Sequence, residues 1–208
     1  MTVRAVYWDL GGVLLRTHDR SGREQWRQRL GLAPGALERR VFEGETALRA
    51  TLGQADESQI WSDLARGFGL TDAERDRLAA DFFAGDKVDH DLIAYIRSLR
   101  PRLKTGMISN AWPEIRRFLE QEWRIADAFD TLVLSAEVGL AKPDPAIYRL
   151  ALDRLQVEPP QAVFVDDFEV NVVGARTLGM QAILFRSPEQ ARADLERLLK
   201  ADVPSSGA

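Results

Sequence analysis

Apolar and polar positions change their spacing twice along the chain. Residues 3–10 are a mostly apolar run, V-R-A-V-Y-W-D-L, which predicts a buried strand near the start of the sequence. From about residue 18 to residue 85 the apolar positions follow helical spacing, without the alternation typical of strands. From about residue 89 onward, helical and strand-like segments alternate. The pattern therefore predicts one strand, then an all-helical block, then a series of helices and strands.

The alternating part of the chain contains four further predicted strands, at 103–108, 131–134, 162–165 and 181–185. Helices are predicted between and beside them, at 92–99, 112–121, 145–155, 170–178 and 188–199. Strands that alternate with helices of this length are typical of a parallel sheet with helices on both faces.

The helical block is predicted to contain several short helices, at 36–42, 46–52 and 58–68, with one more on each side. Ser21 is a candidate N-cap of the first, which Gly31 would end. Thr71 with Glu74 three residues later has the form of a capping box and predicts the start of the last. This block is best explained as an insertion after the first strand.

We therefore predict an α/β fold, with a Rossmann-like parallel-sheet core and an inserted all-helical cap after the first strand. The predicted core comprises residues 1–17 and 86–200, and the predicted cap comprises residues 18–85. Residues 201–208 are predicted to be a flexible tail. Open parallel sheets bind ligands beyond the carboxyl ends of their strands, so a cap leaving the first strand there is expected to cover the ligand site.

Composition narrows the classes of partner. With 208 residues, of which 45% are hydrophobic, the chain can bury a sizeable core. Its formal net charge of -4 argues against nucleic acid as a partner. No apolar stretch approaches the roughly 18 residues of a membrane span, and Arg4 and Asp9 interrupt any signal-peptide core. The absence of cysteine excludes thiolate chemistry. We expect a cytoplasmic protein, as a monomer or a homodimer.

Three carboxylates are predicted to meet at one edge of the sheet. Asp9 ends the first apolar run, and Asp166 and Asp167 follow the run at 162–165. Two like charges about 4 Å apart repel by roughly 4 kcal/mol at an effective dielectric near 20, so three need a cation. A hard cation that accepts oxygen ligands and keeps water fits best, which is Mg²⁺. The alternative is that these residues only cap turns or the next helix.

Ser109-Asn110 follows another predicted strand, and Lys142 precedes a predicted helix. Taken alone, a Ser-Asn pair after a strand is also ordinary turn chemistry. A lysine before a helix N-terminus slightly opposes the helix dipole, so its position is unfavourable without an anion nearby.

Four motifs in this order resemble the haloacid dehalogenase-like hydrolase superfamily: Asp9-Leu10-Gly11-Gly12-Val13, Ser109-Asn110, Lys142-Pro143 and Asp166-Asp167. The likeness covers nearly the whole chain, because the helical block stands where one branch of that superfamily carries a helical cap. Within the superfamily the motifs are most similar to sugar-phosphate phosphatases and to the phosphatase domain of soluble epoxide hydrolase.

The resemblance implies a role for each residue that would handle the phosphoryl group. Asp9 would be the nucleophile that forms an aspartyl-phosphate. Ser109 would donate a hydrogen bond to an oxygen of the transferred phosphoryl group, with the backbone of Asn110 nearby, so both residues would bind the phosphate. Lys142 would neutralise both the nucleophile and the phosphate.

The resemblance also implies the metal ligands. Asp9, the backbone carbonyl of Gly11 and Asp167 would hold Mg²⁺. Asp166 would be more remote from the ion, and Asn171 would orient the loop that carries both aspartates.

Gly11 departs from the pattern of the superfamily. Its phosphatases usually have a second Asp at this position, which protonates the leaving group and then activates water. A glycine keeps the carbonyl for the metal but supplies no acid or base. Such catalysis typically contributes about 10²–10⁴-fold, so the resemblance implies a slow or substrate-restricted enzyme.

Three functions follow as hypotheses. The first is a Mg²⁺-dependent hydrolase of small phosphomonoesters, acting on a phosphorylated metabolite beneath the cap. The second is a catalytically silent regulatory protein that binds metal and phosphate. The third is a metal-independent haloacid dehalogenase, against which the paired Asp166-Asp167 counts.

Overall fold

The computed structural model describes residues 2–201. Its strands are β1 (Ala5–Trp8), β2 (Leu15–Thr17), β3 (Asp86–Val88), β4 (Lys104–Ser109), β5 (Thr131–Leu134), β6 (Ala162–Asp166) and β7 (Gln181–Leu184). Its α-helices are α1 (Ser21–Arg29), α2 (Ala36–Phe42), α3 (Glu45–Thr51), α4 (Glu57–Phe68), α5 (Asp72–Phe83), α6 (His90–Ser98), α7 (Ile115–Arg117), α8 (Ser135–Val138), α9 (Pro145–Leu155), α10 (Glu169–Thr177) and α11 (Pro188–Ala201).

Five strands form one sheet in which all neighbours are parallel, as the sequence predicts, and their order is β5-β4-β1-β6-β7. β1 lies at its centre, where Trp8 pairs with Met107 of β4 and with Val165 of β6. All four residues of β1 are buried, which explains why this strand is apolar throughout rather than alternating. The carboxyl ends of β1, β4 and β6 therefore lie side by side at one edge of the sheet.

Hydrophobic clusters cover both faces of the sheet. Val6 and Trp8 belong to a cluster that includes residues of α6 and α11. Ala5 and Tyr7 point to the other face, where their cluster includes residues of α9. Successive β1 side chains alternate between the two clusters, so the central strand is fixed from both sides.

Helices α1 to α5 form the inserted block, with a third hydrophobic cluster that includes Trp26, Leu37, Trp61 and Phe82. The capping box at the start of α5 is confirmed, since Thr71 and Glu74 exchange side-chain hydrogen bonds with each other's backbone N–H.

The N-cap prediction for Ser21 is wrong. Ser21 is already the first residue of α1, and its backbone N–H donates to the Asp19 carboxylate at 2.8 Å. Asp19 thus supplies the oxygen that the sequence pattern assigned to Ser21.

A two-stranded antiparallel ribbon, which the sequence analysis did not predict, joins the insertion to the sheet. It consists of β2 and β3, with Thr17 opposite Asp86. Arg23 of α1 donates to both Asp86 carboxylate oxygens, at 2.8 and 3.0 Å. The ribbon therefore ties the first helix of the insertion to the point where the chain returns to the sheet, and 18–85 stays our proposed extent of the cap.

Two further predictions concern the helices of the second half. The predicted helix 112–121 is instead a short α7 followed by a π-helical turn, Phe118–Glu122. Of the predicted tail at 201–208, Ala201 ends α11 and residues 202–208 lie outside the described residues.

None of the helices between residues 2 and 201 combines the length and apolar character that a membrane span requires.

Candidate active site

The site forms where β1 ends. The Asp9 backbone N–H continues the ladder by donating to the Val165 carbonyl at 2.9 Å, which holds Asp9 next to β6. Ser109 and Asp166 are the last residues of β4 and β6, the two neighbours of β1. All three side chains belong to buried residues, with Asp9 only 6% exposed. The parallel register thus brings together residues that are about 100 and 57 positions apart in sequence.

Lys142 lies between two carboxylates. Its Nζ is 2.7 Å from Asp9 Oδ1 and 2.6 Å from Asp166 Oδ2, and its side chain is 1% exposed. Burial by itself lowers the pKa of Lys142, but the charges of Asp9 and Asp166 outweigh it and raise that pKa above its ordinary value. Lys142 is therefore a permanent buried cation at the centre of the site.

Asn110 fixes the backbone of Lys142. Its Nδ2 donates to the Lys142 carbonyl at 2.9 Å, and its Oδ1 accepts from the Lys142 N–H at 2.8 Å. This pair of hydrogen bonds links the end of β4 to the segment before α9. The Asn110 side chain therefore acts on the site through Lys142, and a contact of the Asn110 backbone with the phosphate stays a prediction.

Asp166 is saturated by protein donors. Besides Lys142, it accepts hydrogen bonds from Asn171 Nδ2, at 3.1 Å to each oxygen, and from the Phe168 N–H at 2.8 Å. The carbonyl of Asn171 in turn accepts from the Tyr148 hydroxyl at 2.9 Å. With both oxygens engaged, Asp166 is suited to holding Lys142 and the following loop in place.

Asp167 is different, because its Oδ1 is buried and has no hydrogen-bond partner among the described residues. Burial, and then the charges of Asp9 and Asp166, raise the pKa of Asp167 to about 7. Burial likewise raises the pKa of Asp9 to about 6, although Lys142 opposes the shift. An unpartnered buried carboxylate oxygen is costly unless a cation or a proton compensates it.

The three carboxylates fit a divalent metal. One oxygen from each of Asp9, Asp166 and Asp167 lies within 4.8 Å of the others. Three carboxylates against one ammonium leave an excess of negative charge, and oxygen donors are those that Mg²⁺ prefers. Because Asp166 is saturated, Asp9 and Asp167 are the two side chains with an oxygen to offer.

Gly11 and Gly12 approach the site in different ways. A Cβ added at Gly11 would have no neighbour within 4 Å, so a side chain fits at this position. A Cβ added at Gly12 would lie 2.1 Å from Asp167 Oδ2, and Gly12 has a φ of +76°. The close approach and the left-handed backbone both require glycine at position 12. The sequence analysis did not assign this role, although a Gly-Gly turn next to Asp9 is its signal.

Ser135 was also missed. Its Oγ accepts from the Ala111 N–H at 2.9 Å and donates to the Ala111 carbonyl at 3.2 Å, so one hydroxyl clamps the residue after Asn110. A serine at the end of a strand has many other uses, so its role could not be inferred from its type.

The chain matches the model of the haloacid dehalogenase-like hydrolases over residues 3–179, and it belongs to that family. It is 32% identical over 214 residues to a phosphatase of Mycobacterium tuberculosis, and the match covers 100% of this chain and 97% of that protein. It is 28% identical over 224 residues to bifunctional epoxide hydrolase 2 of Rattus norvegicus, covering 99% of this chain and 40% of that protein. The chain thus spans less than half the length of the latter relative.

Solved structures share the fold. A family enzyme of Bacteroides thetaiotaomicron in complex with magnesium and inorganic phosphate superposes with a TM-score of 0.72 at 20% identity, covering 88% of this chain and 94% of that chain. L-2-haloacid dehalogenase of Xanthobacter autotrophicus superposes with a TM-score of 0.61 at 23% identity, covering 94% of this chain and 83% of that chain. Both confirm the predicted architecture, a parallel-sheet core with additional helices.

Proposed function

We propose that the chain is a Mg²⁺-dependent hydrolase of small phosphomonoesters that acts through an aspartyl-phosphate on Asp9. The observation that carries the proposal is the arrangement of Lys142 between Asp9 and Asp166, beside a buried Asp167 oxygen that has no hydrogen-bond partner within residues 2–201. This combination supplies a carboxylate nucleophile, a fixed cation to offset phosphoryl charge and a carboxylate oxygen that can bind a metal ion. The similarity to a phosphatase over nearly the full length of both chains supports the same class of reaction.

In this proposal the chain's own residues perform the transfer. A carboxylate oxygen of Asp9 attacks phosphorus, and the bond from phosphorus to the ester oxygen breaks. Ser109 donates a hydrogen bond to a phosphoryl oxygen, and Lys142 offsets the negative charge of Asp9 and the phosphate. Water then attacks phosphorus, which releases inorganic phosphate and restores Asp9.

The proposed metal ligands are Asp9, Asp167 and the carbonyl of Gly11, with Asp166 and Asn171 supporting the loop. Bound Mg²⁺ would supply charge compensation between the carboxylates and the phosphoryl oxygens. The relative from Bacteroides thetaiotaomicron that was solved with magnesium and inorganic phosphate supports this choice of metal and ligand.

The test is a panel of small phosphate esters with Mg²⁺ and with a chelator, run on the wild type and on D9N. The proposal expects phosphate release that requires Mg²⁺ and is lost in D9N. Turnover that D9N retains would contradict the role of Asp9. Halide release from 2-haloacids that is indifferent to chelator would favour a dehalogenase instead.

Gly11 favours one other candidate, a silent protein that binds metal and phosphate for regulation. No side chain stands at this position to protonate a leaving group or activate water, while Lys142 and the carboxylates are retained. Mg²⁺-dependent binding of inorganic phosphate without turnover of any ester would support it.

Cytoplasmic location and a monomeric or homodimeric state stay predictions from the sequence.

A further inference from the structure

Residues 109–114 connect the active site to the inserted helices. Ser109 ends β4, Asn110 holds Lys142 by two hydrogen bonds, and the Ser135 hydroxyl clamps Ala111 on both its N–H and its carbonyl. Trp112 is the next residue, and it packs against the hydrophobic cluster of the insertion. One short segment thus touches the site at one end and the insertion at the other.

The contact of Trp112 with the insertion is aromatic. Its ring centroid is 5.8 Å from that of Phe42, at the end of α2, and 6.3 Å from that of Phe83, at the end of α5. Such pairs contribute about 0.5–1.5 kcal/mol each beyond the area they bury. Two residues later, Glu114 Oε1 accepts from the Glu57 N–H of α4 at 3.3 Å. Three helices of the insertion therefore contact this segment.

The segment is short and firmly held, so little motion can be absorbed within it. Two Cα–Cα steps of about 3.8 Å separate Asn110 from Trp112. The hydrogen bonds from Asn110 to Lys142 are 2.8 and 2.9 Å long, so a displacement of roughly 1 Å would break them. A shift of the insertion that carries Trp112 and, with it, Asn110 by that distance would release the backbone of Lys142.

We propose that Trp112 is a positioning residue, which couples the placement of the inserted helices to the alignment of Asn110 and Lys142. The structural coupling follows from the contacts of Trp112 alone, whereas its consequence for phosphate binding rests on the function proposed above. With the helices docked, the ring holds residues 109–111 in the arrangement that fixes Lys142. Loss of the ring loosens that arrangement without removing any group that touches the phosphate.

The coupling is tested by amide hydrogen exchange, measured by NMR on the full chain. In W112A the amides of Ala111 and Lys142 should exchange about tenfold faster relative to the amide of Tyr7, which reports global unfolding from the central strand. That factor corresponds to the loss of about one hydrogen bond. W112F keeps an aromatic ring and should stay close to the wild type. If W112A fails to fold, W112L serves in its place.

Trp123 provides a matched control, because it stacks on Phe118 and packs against the sheet rather than the insertion. In W123A the ratio of the exchange rate of the Lys142 amide to that of the Tyr7 amide should stay at the wild-type value. If Trp112 only packs, W112A will speed exchange in the inserted helices and leave the ratios for Ala111 and Lys142 at the wild-type value. That result would overturn the coupling.

A second readout separates this inference from the proposed function. Titration with inorganic phosphate in the presence of Mg²⁺ should show affinity about tenfold weaker in W112A than in the wild type, with Mg²⁺ affinity unchanged. Absence of phosphate binding in the wild type would count against the proposed function alone, and the exchange ratios would still decide the coupling. Equal phosphate affinity in W112A and in the wild type would contradict the proposed consequence of the coupling for phosphate binding.

Discussion

Lys142 and Asp9 form a buried ion pair, with 2.7 Å between Nζ and Oδ1 and side chains that are 1% and 8% exposed. Replacing Lys142 with an uncharged residue would leave the buried charges of Asp9 and Asp166 uncompensated in a poorly solvated environment. The pair therefore links the stability of the fold to the integrity of the site.

We expect K142M to lower the free energy of unfolding of the metal-free protein by about 3–5 kcal/mol, the usual cost of breaking a buried pair. Urea denaturation at neutral pH measures it. K104M is a matched control, since Lys104 Nζ donates to the neutral Leu155 carbonyl, at 2.6 Å, and loss of this hydrogen bond should cost less, about 1.5–3 kcal/mol. Equal losses in the two variants would contradict the pairing.

Alanine substitutions at Gly11 and Gly12 should affect Mg²⁺ affinity differently. G12A places a methyl group against Asp167 in a left-handed backbone, so we expect at least a tenfold loss of Mg²⁺ affinity. G11A places its methyl group in open space and should bind Mg²⁺ as the wild type does. Calorimetric titration with Mg²⁺ distinguishes them, and equal affinities would mean that Asp167 is not a ligand.

The lack of an acid at position 11 also predicts which phosphorylated compounds the protein hydrolyses. Without an acid there, the leaving group must depart unprotonated, so aryl and acyl phosphates should react much faster than alkyl phosphates. G11D should narrow this difference, with alkyl phosphates gaining about 10²–10⁴-fold. The isosteric G11N supplies no acid or base and should gain nothing. If G11D and G11N hydrolysed alkyl phosphates at the same rate, the lack of an acid at position 11 would not be what limits the reaction.

The raised pKa values of Asp9 and Asp167, about 6 and about 7 against an ordinary 3.8, predict the pH dependence of stability. Between about pH 4 and pH 7 these two carboxylates bind more protons in the folded state than in the unfolded state, so their contribution to metal-free stability falls as pH rises. Mg²⁺ binds the ionised carboxylates, so its stabilising effect must rise over the same window.

Thermal unfolding at about pH 5.5 and about pH 7.5, with and without Mg²⁺, measures both trends. The increase in Tm with Mg²⁺ should be larger by about 2–4 °C at the higher pH, which corresponds to about 1 kcal/mol in a protein of this size. In D167N the increase in Tm with Mg²⁺ should depend less on pH. A Mg²⁺ effect that is the same at both pH values would argue against these ligands.

The sheet and its order of elements were predictable because buried parallel strands are continuous apolar runs, as at Ala162–Asp166. The ribbon of β2 and β3 was not, because its strands are three residues long and mix polar and apolar side chains. Its stability comes from pairing across about 70 residues and from Arg23, which no local pattern reveals.

Asp9 and the Asp166-Asp167 pair were predictable because charge at the ends of apolar strands is costly without a partner. Lys142 was predictable because a lysine before a helix N-terminus is unfavourable without an anion nearby. The support around them was not. The bonds from Asn110 to the Lys142 backbone and the Ser135 clamp depend on loop geometry, and the requirement for glycine at position 12 depends on how closely Asp167 approaches.

Intact-protein mass spectrometry tests most directly whether Asp9 carries the phosphoryl group. Because Gly11 cannot activate water, incubation with acetyl phosphate and Mg²⁺ should give a protein heavier by one phosphoryl group. The same treatment of D9N should leave the mass unchanged. A phosphorylated D9N protein, or a wild type in which the group maps to another residue, would contradict the account.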